Sequence, residues 1–322
     1  MLKRFFITAA VALVVAGTGL FVWSNRGPRY EGRLAGYWVR QLVRQPEKAK
    51  RALLELGPTA VPSLTGAVIA RQSWLQRKLD PLRPGWPRWI VRYLPVPFEI
   101  ELRRWYAMEV LGKLGPAAAP AIPALVDLDD GSSDGFYIPF AAERIILNVG
   151  DAGIPQLITV LTSDKNFKAR ARAASCLGRL GAKGPSAAIA LAKALNDSNP
   201  SVRAAGVYAL AQIGPPASNA LPALHAALKL DDDDFRLQVI YALWKVGRES
   251  ETTVPILIKI LSDWNNPNRA GAATLLGDLG PAAKAAVPAL TSVLREEFSY
   301  TRVRAEEALQ QIDPLPSPGT TP

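Results

Sequence analysis

The chain has 322 residues, of which 49% are hydrophobic and 20% are charged, so it can bury one large core or a long array of small ones. Lysine and arginine outnumber aspartate and glutamate, and the formal net charge is +10. A single cysteine excludes an internal disulfide, and a single histidine with that cysteine excludes a His/Cys zinc site and most nucleophile–base pairs.

The first element is an uncharged segment from Phe5 to Trp23, preceded by Lys3 and Arg4. As a helix at about 1.5 Å per residue it spans roughly 28 Å, close to the ~30 Å hydrocarbon core of a bilayer. A cleaved signal peptide is the alternative, but its apolar core is usually only about 7–15 residues long. The segment therefore predicts an uncleaved single-pass membrane anchor, with Trp23 at the interface.

The positive charges on the two sides of this anchor are nearly equal, so they do not decide its orientation. Lys3 and Arg4 precede the apolar segment, and Arg26, Arg29 and Arg33 follow it. Because a lone N-terminal anchor most often leaves its short end in the cytoplasm, we expect the large domain in the periplasm or another extracytoplasmic space.

A period of 33 residues dominates the rest of the chain. An aliphatic residue followed by glycine recurs, and a leucine or isoleucine stands four residues before each glycine, which marks one apolar face of a helix. The glycines are typical of a left-handed C-cap, and prolines five or eight residues later fit the first turn of a second helix. The glycines are Gly57, Gly115, Gly150, Gly181, Gly214, Gly247 and Gly280, and the prolines are Pro62, Pro123, Pro155, Pro222, Pro255 and Pro288.

Each unit is thus predicted to be a helix, a tight turn, a second helix and a short loop. One such pair cannot bury its apolar face alone, whereas stacked pairs can. We expect an all-α fold, an α-solenoid of about seven helix pairs with a terminal half repeat.

The sequences Arg203-Ala-Ala, Ile213-Gly-Pro and Leu221-Pro-Ala-Leu resemble HEAT repeats, in the short bacterial form also found in phycobilin-lyase-type proteins. The resemblance covers roughly residues 47–312, and ankyrin and tetratricopeptide repeats fit less well. It implies an inter-repeat acidic residue and arginine in the loops; Arg104 and Arg236 keep the arginine without the acid, and the repeat at Pro139 lacks both. The pairs are Asp164 with Arg170, Asp197 with Arg203, Asp263 with Arg269, and Glu296 with Arg302.

The residues that could carry chemistry have structural interpretations. Cys176 falls in an apolar column of the repeat, and His225 falls at the edge of a second helix, so we expect the first to be buried and the second to be partly buried. The run from Asp231 to Asp234 is typical of a helix start. The segment 127–135 faintly resembles a calcium loop, but Ala141 stands where the bidentate glutamate belongs. We expect no catalytic residue, cofactor, metal site or small-molecule substrate.

The clearest departure from the period is an insert of about 28 residues within 71–97, rich in tryptophan, proline and arginine. Insertions in solenoids often lie on the binding face, where tryptophan, tyrosine and arginine are enriched. A structural loop and a membrane-surface contact remain alternatives. The predicted partner-binding residues are Trp74, Arg77, Lys78, Trp86, Arg88, Trp89, Arg92 and Tyr93.

These features divide the chain into four predicted parts: an anchor and flank at 1–29, a segment at 30–46 with a capping helix over Leu34–Arg44, the solenoid at 47–312, and a disordered Pro-rich tail at 313–322. We predict a non-enzymatic, membrane-anchored scaffold that binds a protein or peptide. The resemblance leaves a phycobilin-lyase-like or chromophore-chaperone activity as one alternative. Peripheral membrane or envelope organisation through the basic insert is another, and a nucleic-acid partner is disfavoured by the anchor.

Overall fold

The computed structural model describes residues 27–70, 97–128, 137–181, 185–230, 233–297 and 299–313. Within these ranges the chain is helical, apart from an isolated bridge between Tyr30 and Arg33. The anchor predicted at residues 5–23, the insert up to residue 96 and the tail from residue 314 lie outside the described residues. The chain divides into two compact units, Met1–Gly153 and Ile154–Pro322, which are described separately.

In the first unit the described helices form two complete pairs with a single helix on either side. The pairs are α2 with α3 and α4 with α5; α4 packs against both α2 and α6, and α5 packs against α3. The helices are α1 (Ala35–Gln41), α2 (Pro46–Leu56), α3 (Val61–Ile69), α4 (Pro97–Leu114), α5 (Ile122–Val126) and α6 (Tyr137–Val149).

Helix α1 lies within the range predicted for a capping helix and packs against both α2 and α3. Trp38 holds the helix in place: the residue is 3% exposed, and its ring makes edge-to-face contacts with Tyr30 and Tyr37. The indole N–H of Trp38 donates to the carbonyl oxygen of Tyr30 at 3.3 Å. The helix therefore covers the apolar face that the first pair would otherwise expose.

In the second unit ten described helices form two rows. The first-helix row contains α8, α10, α12, α14 and α16, and the second-helix row contains α7, α9, α11, α13 and α15; successive members of the first-helix row pack side by side. The helices are α7 (Ile154–Ser163), α8 (Phe167–Arg179), α9 (Pro185–Ala194), α10 (Pro200–Ile213), α11 (Leu221–Ala227), α12 (Asp233–Gly247), α13 (Ser250–Ser262), α14 (Arg269–Leu279), α15 (Val287–Val293) and α16 (Tyr300–Ile312).

Stacked helix pairs of this kind are the architecture of an α-solenoid. The predictions of an all-α fold and of a solenoid are confirmed. The boundary between the two units, at Gly153, falls inside the repeat that contains Pro139, the repeat that lacks both inter-repeat residues.

The turn between the helices of a pair depends on glycine. At Gly57, Gly214 and Gly280 φ is 56°, 70° and 60°, as the C-cap prediction requires, but ψ is −131°, −142° and −138°. This is not the left-handed helical conformation, whose ψ is near +47°. It is a region that side chains with a Cβ rarely adopt, and it directs the chain into a short 3-10 segment before the second helix.

Gly247 does not follow this pattern. It is the last residue of α12, and the positive φ, 56°, belongs to Arg248 instead. The backbone N–H of Arg248 donates to the carbonyl oxygen of Trp244 at 3.0 Å, and its guanidinium lies 5.0 Å from the centre of the Trp244 ring. The C-cap prediction for Gly247 was therefore wrong by one residue.

The core consists of the columns that the period predicted. The leucine or isoleucine four residues before each glycine is at most 1% exposed, and the leucine ten residues after it is equally buried. Burying such a side chain stabilises a fold by roughly 1.5–3 kcal/mol. The buried members are Leu53, Leu111, Ile146, Leu177, Leu210, Leu243 and Leu276 in first helices, and Leu125, Leu191, Leu224, Leu257 and Leu290 in second helices.

Two described stretches, Pro46–Ile69 and Phe140–Ser163, are long and apolar enough to cross a membrane by length and composition alone. Each contains a glycine at positive φ, and each contributes residues to the repeat core, including Leu53 and Ile146. Their apolar content is thus that of repeat helices, and the anchor at residues 5–23 remains a prediction.

The substitution Leu210→Ala tests the register of the repeat. Leu210 is fully buried, so truncating it should lower the free energy of unfolding by about 2–5 kcal/mol. Ile189→Ala is the control, because Ile189 is 48% exposed on α9 and its truncation should change the stability by less than about 1 kcal/mol. Urea denaturation of both variants measures the difference, and equal effects would contradict the register.

Candidate functional site

Arginines near the start of the first helices join neighbouring repeats. Arg170 on α8 donates from Nε and Nη2 to the two carboxylate oxygens of Asp197, both at 2.8 Å, and from Nη1 to the carbonyl oxygen of Asp164 at 2.9 Å. Arg269 on α14 makes the equivalent two-pronged contact with Glu296 and donates to the carbonyl oxygen of Leu261. Each arginine thus ties its own loop to the loop of the next repeat.

These partners differ from the pairs that the sequence predicted. Arg203 donates to the backbone oxygen of Asp197 at 3.2 Å, and Arg302 donates to the backbone oxygen of Glu296 at 3.5 Å. The carboxylate of each acidic residue instead accepts from the arginine 27 residues earlier. The acidic residue is consequently a link between repeats rather than a partner within one loop.

The environment of Asp197 favours its ionised form. Hydrogen bonds from Arg170 lower the pKa of the carboxyl group below its ordinary value of 3.8, and this outweighs the opposing effect of burial. The backbone N–H of Asn199 also donates to the carboxylate, at 2.9 Å. Because the side chains of Asp197 and Arg170 are each only 14% exposed, solvent screens this pair weakly.

The candidate binding site is a groove of about 360 Å³ along the outer surface of α10, α12 and α14. Tyr208, which is 57% exposed, and Tyr241 occupy equivalent positions, six residues before the repeat glycine. Thr274 holds the same position on α14. The groove carries no charged residue; its lining is Val207, Tyr208, Ala211, Leu237, Gln238, Tyr241, Gly271, Thr274 and Leu275. We call this surface the tyrosine groove.

The groove arises where two first helices stay apart. A Cβ on Gly178 would lie 2.7 Å from the Cα of Ala209, and one on Gly277 would lie 3.0 Å from the Cα of Ala308, so α8 packs tightly on α10 and α14 on α16. Trp244 holds the corresponding position on α12. Because an indole needs far more room than a hydrogen atom, α12 and α14 pack less closely, and the surface between them stays open.

The charge beside the groove is positive. Helix α8, which packs against α10, carries Lys168, Arg170, Arg172 and Arg179 and no acidic residue. In the 33-residue register, Arg172 occupies on α8 the position that Gln238 occupies on α12. The first-helix face thus changes from basic on α8 to apolar on α10 and α12.

The equivalent face of the first unit has a different chemistry. A groove of about 310 Å³ between α4 and α6 contains Glu109, Lys113 and Arg144 beside the 54%-exposed Trp105. Burial alone would raise the pKa of Glu109, but hydrogen bonds from Lys113 and Lys50 outweigh it and hold the pKa below 4.5. Ion pairs therefore already satisfy the charge of Glu109 in this groove, and the tyrosine groove is the more apolar of the two.

The structure also places the residues singled out in the sequence. Cys176 is 2% exposed, which confirms its predicted burial. His225 lies near the end of α11 with its side chain 43% exposed, 3.0 Å from a carboxylate oxygen of Glu249, in agreement with a partly buried residue. Asp233 and Asp234 begin α12 as predicted. The described residues include no group of three metal-ligating side chains, and most of the segment 127–135 lies outside them.

The predicted partner-binding residues of the insert all lie outside the described residues: Trp74, Arg77, Lys78, Trp86, Arg88, Trp89, Arg92 and Tyr93. The tyrosine groove was missed, although the sequence contained a signal for it. Tyr208 and Tyr241 are separated by one period of 33, in a column that the apolar core does not use.

The stacked pairs and their exposed first-helix face define the class of the protein as an α-solenoid. A family model described as HEAT repeats matches residues 154–244 and 221–310, so the second unit consists of HEAT repeats over most of its length. The arginine–acid links between its loops join successive members of this array.

Solved structures resemble the chain at low identity. Kap121p is 16% identical and has a TM-score of 0.50, with 85% of this chain and 34% of Kap121p covered. The CpcE–CpcF complex of phycocyanin lyase from Nostoc sp. PCC7120 is 23% identical and has a TM-score of 0.38, with 76% and 97% covered. At these identities the likeness concerns the fold alone. A search of curated proteins finds no match.

The variant Asp197→Asn tests the link between repeats. The amide cannot pair with the Arg170 guanidinium as a charge, so we expect the free energy of unfolding at pH 7 to fall by about 1–3 kcal/mol. Because the folded-state pKa of Asp197 is lowered, its contribution is present above the unfolded pKa and is lost as the pH falls through the folded pKa. Denaturation at pH 7 and pH 3 should show that the difference in the free energy of unfolding between Asp197→Asn and the unchanged chain is smaller at pH 3. Asp278→Asn, an exposed change on α14, is the control. A difference between Asp197→Asn and the unchanged chain that does not depend on pH would contradict the ion pair of Asp197 with Arg170.

Proposed function

We propose that this protein is a non-enzymatic, membrane-anchored scaffold whose tyrosine groove binds an extended segment of a partner protein. The observation that carries this proposal is the groove itself. Apolar side chains and two tyrosine rings face solvent along three consecutive repeat helices, without a charged residue among them. Exposed apolar grooves rimmed by polar residues are typical of interaction sites.

The tyrosines suit this role. Each ring offers roughly 150–250 Å² of apolar surface when covered, together with a hydroxyl that accepts or donates a hydrogen bond. Tyr208 and Tyr241 lie on adjacent helices, whose axes are about 8–10 Å apart in packed pairs. An extended peptide rises about 3.1–3.4 Å per residue, so side chains three residues apart on a bound peptide match this spacing.

Charge defines the occupant further. The basic helix α8 packs against α10, one of the helices that form the apolar surface, and the whole chain carries a net charge of +10. An extended peptide with acidic residues at one end and apolar residues at the other complements both parts of this surface. We therefore assign the groove to an acidic–apolar segment of a partner protein.

The anchor predicted at residues 5–23 favours a role at a membrane. Tethering confines the solenoid to the surface and raises the effective concentration of membrane-associated partners. The proposed location of the repeats is periplasmic or extracytoplasmic, because a lone N-terminal anchor most often leaves its short end in the cytoplasm.

Selection from a display library of random 16-residue peptides tests the groove. We expect the full chain to enrich peptides that combine acidic and apolar residues, and the double variant Tyr208→Ser/Tyr241→Ser to weaken their binding at least about tenfold, since tyrosines at hot spots each contribute about 1–2 kcal/mol or more. Ile189→Ser is the control, because this exposed residue lies on the second-helix row. Peptides that bind the double variant as well as the unchanged chain would overturn the groove assignment.

The same selection tests the basic helix. Reversing two exposed charges with Lys168→Glu/Arg179→Glu should remove the preference for acidic residues but keep the preference for apolar ones. Lys259→Glu/Lys284→Glu makes the same change in net charge at exposed positions outside the first-helix row. A loss of acidic preference in both variants would show that net charge, rather than α8, selects the peptide.

The insert is proposed as a second contact for the partner. Replacing residues 74–97 with a Gly/Ser linker of equal length should reduce the proteins crosslinked to the chain in native membranes, because this replacement removes Trp74, Trp86 and Trp89. A set of crosslinked proteins that does not change would make the insert structural and leave the tyrosine groove as the binding element.

A further inference from the structure

A pocket of about 680 Å³ lies in the first unit, between the segment that leads into α1, α1 itself and the start of α3. Three arginines, Arg29, Arg33 and Arg40, line it from one side, and the hydroxyl-bearing Thr59 and Ser63 line it from the other. No carboxylate is among the lining residues. The pocket is therefore the opposite of the tyrosine groove in character, being cationic and polar.

The positive charge of the pocket is not cancelled by the acidic residue that is nearest in sequence. Glu31 pairs with Lys48 at 2.7 Å, outside the pocket lining. The guanidinium of Arg33 lies 5.1 Å from the centre of the Tyr37 ring, and this cation–π contact restricts its movement. A stacked guanidinium still presents its N–H donors at the edge of its plane, which is the geometry that a phosphate group accepts in a bidentate manner.

The backbone leaves room for an anion beside these side chains. Gly32 has a φ of 70°, and a Cβ at this position would meet no atom within 4 Å. A Cβ on Gly36 would come no closer than 3.9 Å to the hydroxyl oxygen of Ser63. Open space next to guanidinium and hydroxyl donors fits a compact, multiply accepting anion better than an apolar molecule.

We propose that this pocket binds a phosphate group. The chemistry is shared by two sources, the phosphodiester of an anionic lipid headgroup and a free phosphate or phosphomonoester. The position of the pocket in the chain favours the lipid. Gly27 follows Trp23 by four residues, which span at most about 14 Å. If residues 5–23 cross the bilayer, the pocket lies at headgroup level, where basic sites attract anionic lipids.

This inference goes beyond the proposed function, since it concerns a different ligand class and a different unit from the tyrosine groove. Its test uses the full chain in neutral detergent micelles doped with phosphatidylglycerol or with zwitterionic phosphatidylcholine. Native mass spectrometry counts the lipids retained on the protein, and inorganic phosphate and glycerol 3-phosphate are added as soluble competitors.

The variant Arg33→Gln/Arg40→Gln removes two of the three guanidinium groups from the pocket. Arg44→Gln/Arg51→Gln is the matched control, because it removes the same charge from exposed positions outside the lining. We expect the unchanged chain to retain phosphatidylglycerol over phosphatidylcholine, the pocket variant to bind it at least about tenfold more weakly, and the control to stay within about twofold.

The soluble competitors separate the two sources. Displacement of phosphatidylglycerol by millimolar phosphate, with the same dependence on Arg33 and Arg40, assigns the pocket to free phosphate compounds as well as to lipid. Retention of the lipid against the competitors assigns it to the headgroup at the membrane. Equal retention by the pocket variant and its control, with both variants showing the melting temperature of the unchanged chain, would overturn the proposal.

Discussion

At Gly57, Gly214 and Gly280 the backbone combines a φ between 56° and 70° with a ψ between −142° and −131°. Such a conformation strains a residue that has a Cβ by about 1–3 kcal/mol. Glycine holds it without steric cost, and the chain leaves the first helix into a 3-10 segment that aims the second helix back along the first. Because this happens at a fixed position in these units, the apolar columns of successive pairs coincide and the pairs stack.

The 33-residue period was sufficient to predict the class of fold and most of the core. Leu210, Leu243 and Leu276 are buried where the glycine register placed them. The details that were missed depend on distances that one sequence does not contain. The ψ angle of the glycines and the shift of the positive φ to Arg248 follow from how each turn packs, and the partner of Asp197 follows from how neighbouring loops meet.

The binding surface follows from the exceptions to the repeat. Gly178 and Gly277 let neighbouring first helices touch, and Trp244 in the same column prevents this between α12 and α14. Tyr208 and Tyr241 then line a surface that is not buried in the core. The residues that repeat are visible in the sequence as a period, so the scaffold can be predicted from it. The groove depends on where bulky residues replace small ones, and its depth depends on how far apart the helices then lie.

The link between repeats also has a consequence for the groove. Arg170 with Asp197 and Arg269 with Glu296 join the loops at the start of the first helices, so they help to fix the positions of α10 and α14, two of the three helices that carry the groove residues. At the position that Asp197 and Glu296 hold in other repeats, this repeat has Leu230 instead of an acidic residue. The guanidinium of Arg203 lies 5.7 Å from the centre of the Phe235 ring. Helices α10 and α12 are consequently joined here by a contact between a guanidinium and an aromatic ring instead of an ion pair.

Hydrogen–deuterium exchange of the full chain, with and without a peptide selected from the display library, shows which row of helices contacts the peptide. We predict slower exchange in α10, α12 and α14 when the peptide is bound, with little change in α11, α13 and α15, because only the first-helix row lines the groove. Protection confined to the second-helix row, or no protection in α10, α12 and α14 at saturating peptide, would contradict this prediction.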